Sequence, residues 1–244
     1  MRHLELVMGI PMSVDVRGAL DERVERAAVQ EAFARMHAAD RRFSRFRPDS
    51  EVSRYDDDDT EPSPDLREVL GIAARFGDLS GGAFSVRRPD GSLDTDGVVK
   101  GWAAQRAADT LTAAGLTTFC LNAGGDVVVR GEPEPGRGWN VGVRDPSDPQ
   151  SFRTVLEVRD GAVATSGTYE RGEHVWDGRT GQPATDLRAA TVVAADLTTA
   201  DVLATCVLAL GRDGIAWAAE YGAVAVLAVD ADGELLTALQ AAPA

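Results

Sequence analysis

Thr118-Phe-Cys-Leu-Asn122, Asp126-Val-Val-Val-Arg130, Trp139-Asn-Val-Gly-Val-Arg144, Arg153-Thr-Val-Leu-Glu-Val158 and Ala162-Val-Ala-Thr-Ser166 are five short apolar runs in close succession. Each is too short for a core helix, and Gly, Pro, Asp or Asn stand between them, so they read as strands joined by hairpins. Gly124-Gly125 between the first two is a tight-turn signal. Such a run of hairpins makes a mainly antiparallel sheet.

Helical periodicity lies on both sides of these strands. Asp21 to Arg42 carries an apolar stripe of Val24, Ala27, Ala28, Ala32, Phe33 and Met36. Leu66–Phe76 and Val98–Ala114 read as two further helices, and Thr199–Leu210 and Gly214–Tyr221 follow downstream. Leu4–Val16 is a strand interrupted at Gly9-Ile-Pro11, and Thr191–Ala195, Val224–Val229 and Glu234–Leu239 complete the strands. Arg45–Thr60, with Asp56-Asp-Asp-Asp59, reads as an acidic loop. Helices, then hairpins, then helices define an α+β chain rather than an alternating βαβ one. With no repeat and no low-complexity linker, residues 1–244 are expected to form a single compact unit.

Lys+Arg 25 against Asp+Glu 39 gives a net charge of −14, which disfavours nucleic acid or an anionic membrane as partner. A phosphate-bearing ligand needs only a local cluster of donors and stays open. Cys120 and Cys206 each sit in an apolar run and read as buried thiols, not as a disulfide framework or metal site. Met1-Arg-His-Leu-Glu-Leu-Val-Met-Gly9 lacks a long apolar stretch of the signal-peptide kind, and no segment reaches transmembrane length. A cytoplasmic protein is the expectation.

Four places can carry chemistry. His174, one of three histidines, stands in the polar, glycine-punctuated run Thr165–Gly181. It suits a proton acceptor near neutral pH, or is simply a solvated hairpin histidine. Asp201 and Thr205 are spaced i, i+4 on an otherwise apolar helix, so their oxygens share one face. A buried carboxylate there needs a partner, and a hard divalent cation is one answer. The other is a capping box, Thr198-Thr-Ala-Asp201, with Thr205 bonding back to the Asp201 carbonyl; spacing alone favours this cap. Lys100 is expected in the first turn of a helix starting near Gly97, where a cation and free amides suit a pyrophosphate, unless the lysine merely reaches solvent. Leu121-Asn-Ala-Gly-Gly-Asp126 is foremost a turn, although its missing side chains would also let a flat ligand approach. Phe43-Ser-Arg-Phe-Arg-Pro-Asp-Ser-Glu-Val-Ser-Arg54 suits the adenine end of a nucleotide, or is only a helix end and turn.

The order of these pieces resembles the ApbE family, the FAD:protein FMN transferases. The matching segments are Met8-Gly-Ile-Pro-Met12, Phe43-Ser-Arg-Phe46 with Asp49-Ser-Glu-Val-Ser-Arg54, and Gly81-Gly-Ala-Phe84. Gly97-Val-Val-Lys-Gly101, Asn122-Ala-Gly-Gly-Asp126, Trp139-Asn-Val-Gly-Val-Arg-Asp-Pro146 and Ala164-Thr-Ser-Gly-Thr-Tyr-Glu-Arg171 follow. His174-Val-Trp-Asp-Gly-Arg-Thr-Gly181 and Ala200-Asp-Val-Leu-Ala-Thr205 close the series.

The resemblance implies a T-fold-like protein that binds FAD and Mg2+ and moves FMN onto a Thr or Ser hydroxyl of an acceptor flavoprotein, with AMP leaving. It implies Asp201, Thr205 and the Gly97 carbonyl as metal ligands, which reverses the preference for a cap, and His174 as the base. It further implies Met8, Ser44, Lys100, Gly124, Gly125, Asp126, Ser166, Gly167 and Thr168 as contacts to FAD. With water as acceptor the same site would hydrolyse FAD to FMN and AMP. A site that had drifted would only hold flavin, and the retained His174, Asp201 and Thr205 argue against that. The chain departs from the family pattern at Ser85, where Asp is usual, and at Gly178, where Pro is usual. It also has Tyr55-Asp56 in place of an Asn that borders the flavin.

Overall fold

In the computed structural model, residues 1–18, 20–55, 61–168 and 175–239 are described. The strands are β1 (Arg2–Val7), β2 (Ile10–Val16), β3 (Phe119–Ala123), β4 (Asp126–Arg130), β5 (Trp139–Asp145), β6 (Asp148–Val158) and β7 (Gly161–Gly167). They continue as β8 (Trp176–Asp177), β9 (Gln182–Pro183), β10 (Leu187–Ala194), β11 (Ala223–Asp230) and β12 (Leu235–Leu239). Eight of them form one sheet in the order β1-β2-β3-β4-β7-β10-β11-β12, every neighbouring pair antiparallel. This is the α+β, mainly antiparallel unit expected from the hairpin runs.

Helices α1 (Glu22–Phe43), α2 (Glu51–Arg54), α3 (Pro64–Leu79) and α4 (Asp96–Ala113) precede β3, while α5 (Leu197–Leu210) and α6 (Asp213–Glu220) follow β10. Alternate residues of the sheet, among them Met12, Val14, Leu121, Val128 and Ala164, pack against α1 and α4. The other face is covered at its centre by the β5–β6 hairpin, whose Trp139 and Val141 meet Val127, Val129 and Val163. Helix α5 is buried on almost every side, as its apolar sequence requires. Among the described residues no helix is long and apolar enough to cross a membrane.

Several local expectations are corrected. Val24 and Ala27 are exposed; the buried stripe of α1 runs Glu25, Ala28, Val29, Ala32, Phe33, Met36, Ala39, Phe43. At 3.6 residues per turn Val24 shares a meridian with Glu31 and Arg35, which pair with each other in solvent. Leu4–Val16 is not one strand but the β1–β2 hairpin, turning at Met8 (φ 53) and Gly9 (φ 73). Two successive positive φ values give the I′-type turn that matches strand twist. The short helix α2 interrupts the stretch read as loop, capped by Ser50, whose hydroxyl accepts the Ser53 N–H. Helix α5 is capped by Asp196, whose carboxylate accepts the Thr199 N–H at 2.9 Å. Asp201 therefore lies in the second turn, and the capping-box reading is excluded. Lys100 is the fifth residue of α4, one residue deeper than expected.

Candidate functional site

A cavity of about 750 Å³ opens where the β1–β2 turn, the end of α1, the start of α4, the end of β7 and the middle of α5 converge. That volume suits an organic ligand of substantial size. Met8, Ser44, Gly97, Lys100, Gly124, Ser166, Gly167, Asp201 and Thr205 all line it. These residues, up to 197 positions apart in sequence (Met8 and Thr205), thus face one space, because the sheet brings its hairpin ends beneath the helix ends. Gly125, Asp126 and Thr168 do not line the cavity. Asp126 is 2 % exposed and lies beneath its wall; Thr168 turns its hydroxyl to the Arg188 carbonyl at 3.4 Å. His174 falls outside the described residues, but Gly167 and Val175, on either side of its segment, both line the cavity.

The metal-ligand candidates are held by the contact of α4 with α5. Gly101 lets the two helices touch: a Cβ there would lie 2.6 Å from both the Asp201 Cβ and the Leu197 carbonyl oxygen. Across this contact the Gly101 N–H donates to Asp201 Oδ2 at 2.8 Å. Gly97, one turn earlier in α4, lines the cavity next to Thr205: a Cβ built on it would lie 3.6 Å from the Thr205 methyl. Thr205 Oγ1 donates to the Asp201 carbonyl at 3.2 Å, the back-bond expected from spacing, and pairs with Ser166 Oγ at 3.1 Å. The Asp201 carboxylate, the Thr205 hydroxyl and a backbone carbonyl from Gly97 would make an all-oxygen donor set of the kind that suits a hard divalent cation such as Mg2+.

Charge supports the same fit. The Lys100 ammonium lies 2.5 Å from Asp126 Oδ2 and 3.3 Å from Asp201 Oδ1. Asp126 also accepts the Thr165 N–H at 2.9 Å. Burial alone would depress the ammonium, but the two carboxylates outweigh it and hold Lys100 protonated. Two carboxylates against one ammonium leave the cluster one negative charge in excess. Burial accordingly pushes the Asp201 carboxyl up to about 7, with the Asp126 charge adding to it and Lys100 and the Gly101 N–H opposing it. A site that penalises its own anion in this way favours an added cation.

The Phe43–Arg54 stretch read as a nucleotide contact supplies part of the rim, Arg45 and Phe46, whereas Arg88 and Asp94 were not singled out from sequence. Arg45 stacks on Phe46 with 4.4 Å to the ring centroid, and Arg88 lies over Trp176 at 5.3 Å. Asp94 ties them together, 3.0 Å from Arg88 and 3.7 Å from Arg45. Asp94 lies 49 and 6 residues from its partners Arg45 and Arg88, and no periodicity announces such a junction. Gly124 carries a tertiary role besides its turn, since a Cβ there would lie 2.5 Å from Ile10 Cδ1.

Fold and pocket together define the class: an antiparallel α+β unit with an oxygen-lined, negatively charged cavity of ligand size. The ApbE family profile matches residues 8–88 and 86–228, and the chain belongs to that family. It is 34% identical over 184 residues to a FAD:protein FMN transferase of Rhodobacter capsulatus, covering 70% of this chain and 34% of that protein. A FAD:protein FMN transferase of Vibrio cholerae is 29% identical over 161 residues, 62% of this chain and 48% of that one. The chain thus spans about half or less of the length of these relatives. The ApbE protein of Thermotoga maritima superimposes with a TM-score of 0.86 at 22% identity, covering 97% and 96% of the two chains. The flavin transferase ApbE from Vibrio cholerae does so with 0.82 at 22% identity, covering 98% and 96%.

The departures at Ser85 and Gly178 are neighbours in space. The Gly178 N–H donates to the Ala83 carbonyl at 2.8 Å. A Cβ on Gly178 would lie 2.5 Å from the Gly82 carbonyl oxygen and 2.9 Å from the Ser85 Cβ. Proline at this position loses the donor and meets that backbone. Gly178→Pro is therefore expected to cost about 2 kcal/mol, roughly 4–8 °C in Tm. A thermal melt unchanged from that of the parent would refute this account.

Proposed function

We propose that this chain is a Mg2+-dependent FAD:protein FMN transferase, moving FMN from FAD onto a Thr or Ser hydroxyl of an acceptor flavoprotein. The carrying observation is the net-negative, all-oxygen cluster of Asp201, Thr205 and Gly97 on the wall of a cavity large enough for a dinucleotide. The names of the relatives support the same reading. The acceptor oxygen forms a bond to the FMN phosphorus, the anhydride P–O bond to AMP breaks, and AMP leaves with its electron pair. His174 takes the hydroxyl proton, since an unassisted Thr or Ser hydroxyl is a weak nucleophile. Asp201, Thr205 and the Gly97 carbonyl would hold Mg2+, which when bound supplies positive charge to the phosphoryl oxygens. Ser166 and Gly167 offer a hydroxyl and a close backbone approach on the same wall. Lys100 adds the only ammonium there.

Incubation with FAD, Mg2+ and a Thr- or Ser-bearing acceptor, followed by acceptor mass and released nucleotide, tests the proposal. An adduct heavier by FMN with AMP released supports transfer. Free FMN without adduct would make the chain an FAD pyrophosphatase instead. Asp201→Ala is expected to weaken the Mg2+ response on the order of 100-fold or more. An unaltered Mg2+ titration would show that the carboxylate is only a helix-packing group.

A further inference from the structure

Asp126 is a conspicuous buried charge that the proposed reaction does not use. Its carboxylate reaches neither the cavity nor solvent, being 2 % exposed. Oδ1 accepts the Thr165 N–H, and Oδ2 has no partner other than the Lys100 ammonium. The ammonium in turn divides itself unequally, 2.5 Å from Asp126 but 3.3 Å from Asp201 Oδ1. A committed charge-assisted bond lies near 2.7–2.9 Å, roughly speaking, so Asp126 is the tight partner and Asp201 the loose one. Asp201 Oδ2 is occupied by the Gly101 N–H. Oδ1 is therefore the oxygen left for a cation, and Lys100 already leans on it.

We propose that Lys100 is the resident counter-cation of the metal site, and that Asp126 is the positioning residue that keeps it from competing with a divalent ion for Asp201. The inference rests on the metal reading given above. In the metal-free protein the ammonium offsets part of the charge on Asp201, limiting the cost of a carboxylate that is 2 % exposed. When Asp201 takes a divalent cation, the ammonium must withdraw from Oδ1, because like charges at such separations repel by several kcal/mol even at an effective dielectric of about 20. Asp126 gives it a place to withdraw to. The arrangement also accounts for a carboxylate that stands beneath the wall, outside the cavity lining.

Opposite signs distinguish this role from a flavin contact or a purely structural one. Asp126→Asn keeps an oxygen able to accept the Thr165 N–H but removes the charge that holds Lys100. The ammonium then has Asp201 alone, and the Mg2+ concentration at half-maximal thermal stabilisation should rise about tenfold or more. Lys100→Met removes the competitor, so the metal-free melt should fall while half-saturation moves to lower Mg2+. The double variant should titrate below Asp126→Asn. The measurement is the melting temperature against MgCl2, first without flavin and then with FAD, beside wild type.

Asp126→Asn titrating like wild type, or Lys100→Met needing more Mg2+, would overturn the proposal. Should Asp126→Asn fail to fold, the sign of the Lys100→Met shift decides alone. A wild type indifferent to Mg2+ in both titrations overturns this inference together with the metal reading. Opposite shifts in a protein that transfers no FMN would support it while refuting the transferase assignment, because transfer is not part of the readout.

Discussion

Gly101→Ala is expected to lower stability by about 3 kcal/mol, on the order of 6–12 °C in Tm for a chain of this size. In an isolated helix the same change would be favourable, since alanine is the better helix former. Here the added methyl would sit 2.6 Å from the Leu197 carbonyl oxygen and from the Asp201 Cβ, and 2.9 Å from Asp201 Oδ2. Two of those three atoms belong to the proposed metal ligand, so relaxation must part α4 from α5 and break the Gly101–Asp201 hydrogen bond. The Mg2+ response should therefore weaken along with the fold. Calorimetry with a Mg2+ titration checks both effects. An alanine variant melting like the parent would mean that the helices do not approach as described.

His174→Ala is expected to lower the transfer rate by about 10²–10⁴-fold, the usual worth of a positioned general base, while FAD binding is retained. Its segment is flanked by Gly167 and Val175, which both line the cavity. Among the described residues the only other histidines are His3 and His37, and both hydrogen-bond to Glu5, on β1 and outside the cavity lining. No other imidazole stands ready there to take over the proton. Single-turnover transfer alongside FAD binding separates chemistry from affinity. Unchanged transfer would remove the base assignment and direct attention to the carboxylates on the cavity wall.

These two predictions differ in where they were visible. His174 was legible as a lone imidazole in a polar run, because proton chemistry is a property of side-chain type. Gly101 stands out in sequence only as the last residue of Gly97-Val-Val-Lys-Gly101. Its importance arises from a contact between residues 100 positions apart, which periodicity cannot register. Asp201 shows the same division. Its burial was readable from the apolar helix around it, yet spacing alone favoured a cap. Asp196 displaced that reading by starting the helix earlier, so that Asp201 met the Gly101 amide and the Lys100 ammonium instead.

The amino-acid order alone determined the local matters: which runs form strands, that hairpins make the sheet antiparallel, and which side chains have the chemistry for a cation, a phosphate or a proton. Those follow from turn residues and apolar period, which act over a few positions along the chain. Only the tertiary structure decided which face of α1 is inside, that Leu4–Val16 folds back on itself, and that Lys100 points inward between Asp126 and Asp201 rather than out to solvent. The physical reason is that charge pairing and helix contact depend on distances of about 3 Å between atoms far apart in sequence, and such distances exist only once the sheet has been assembled.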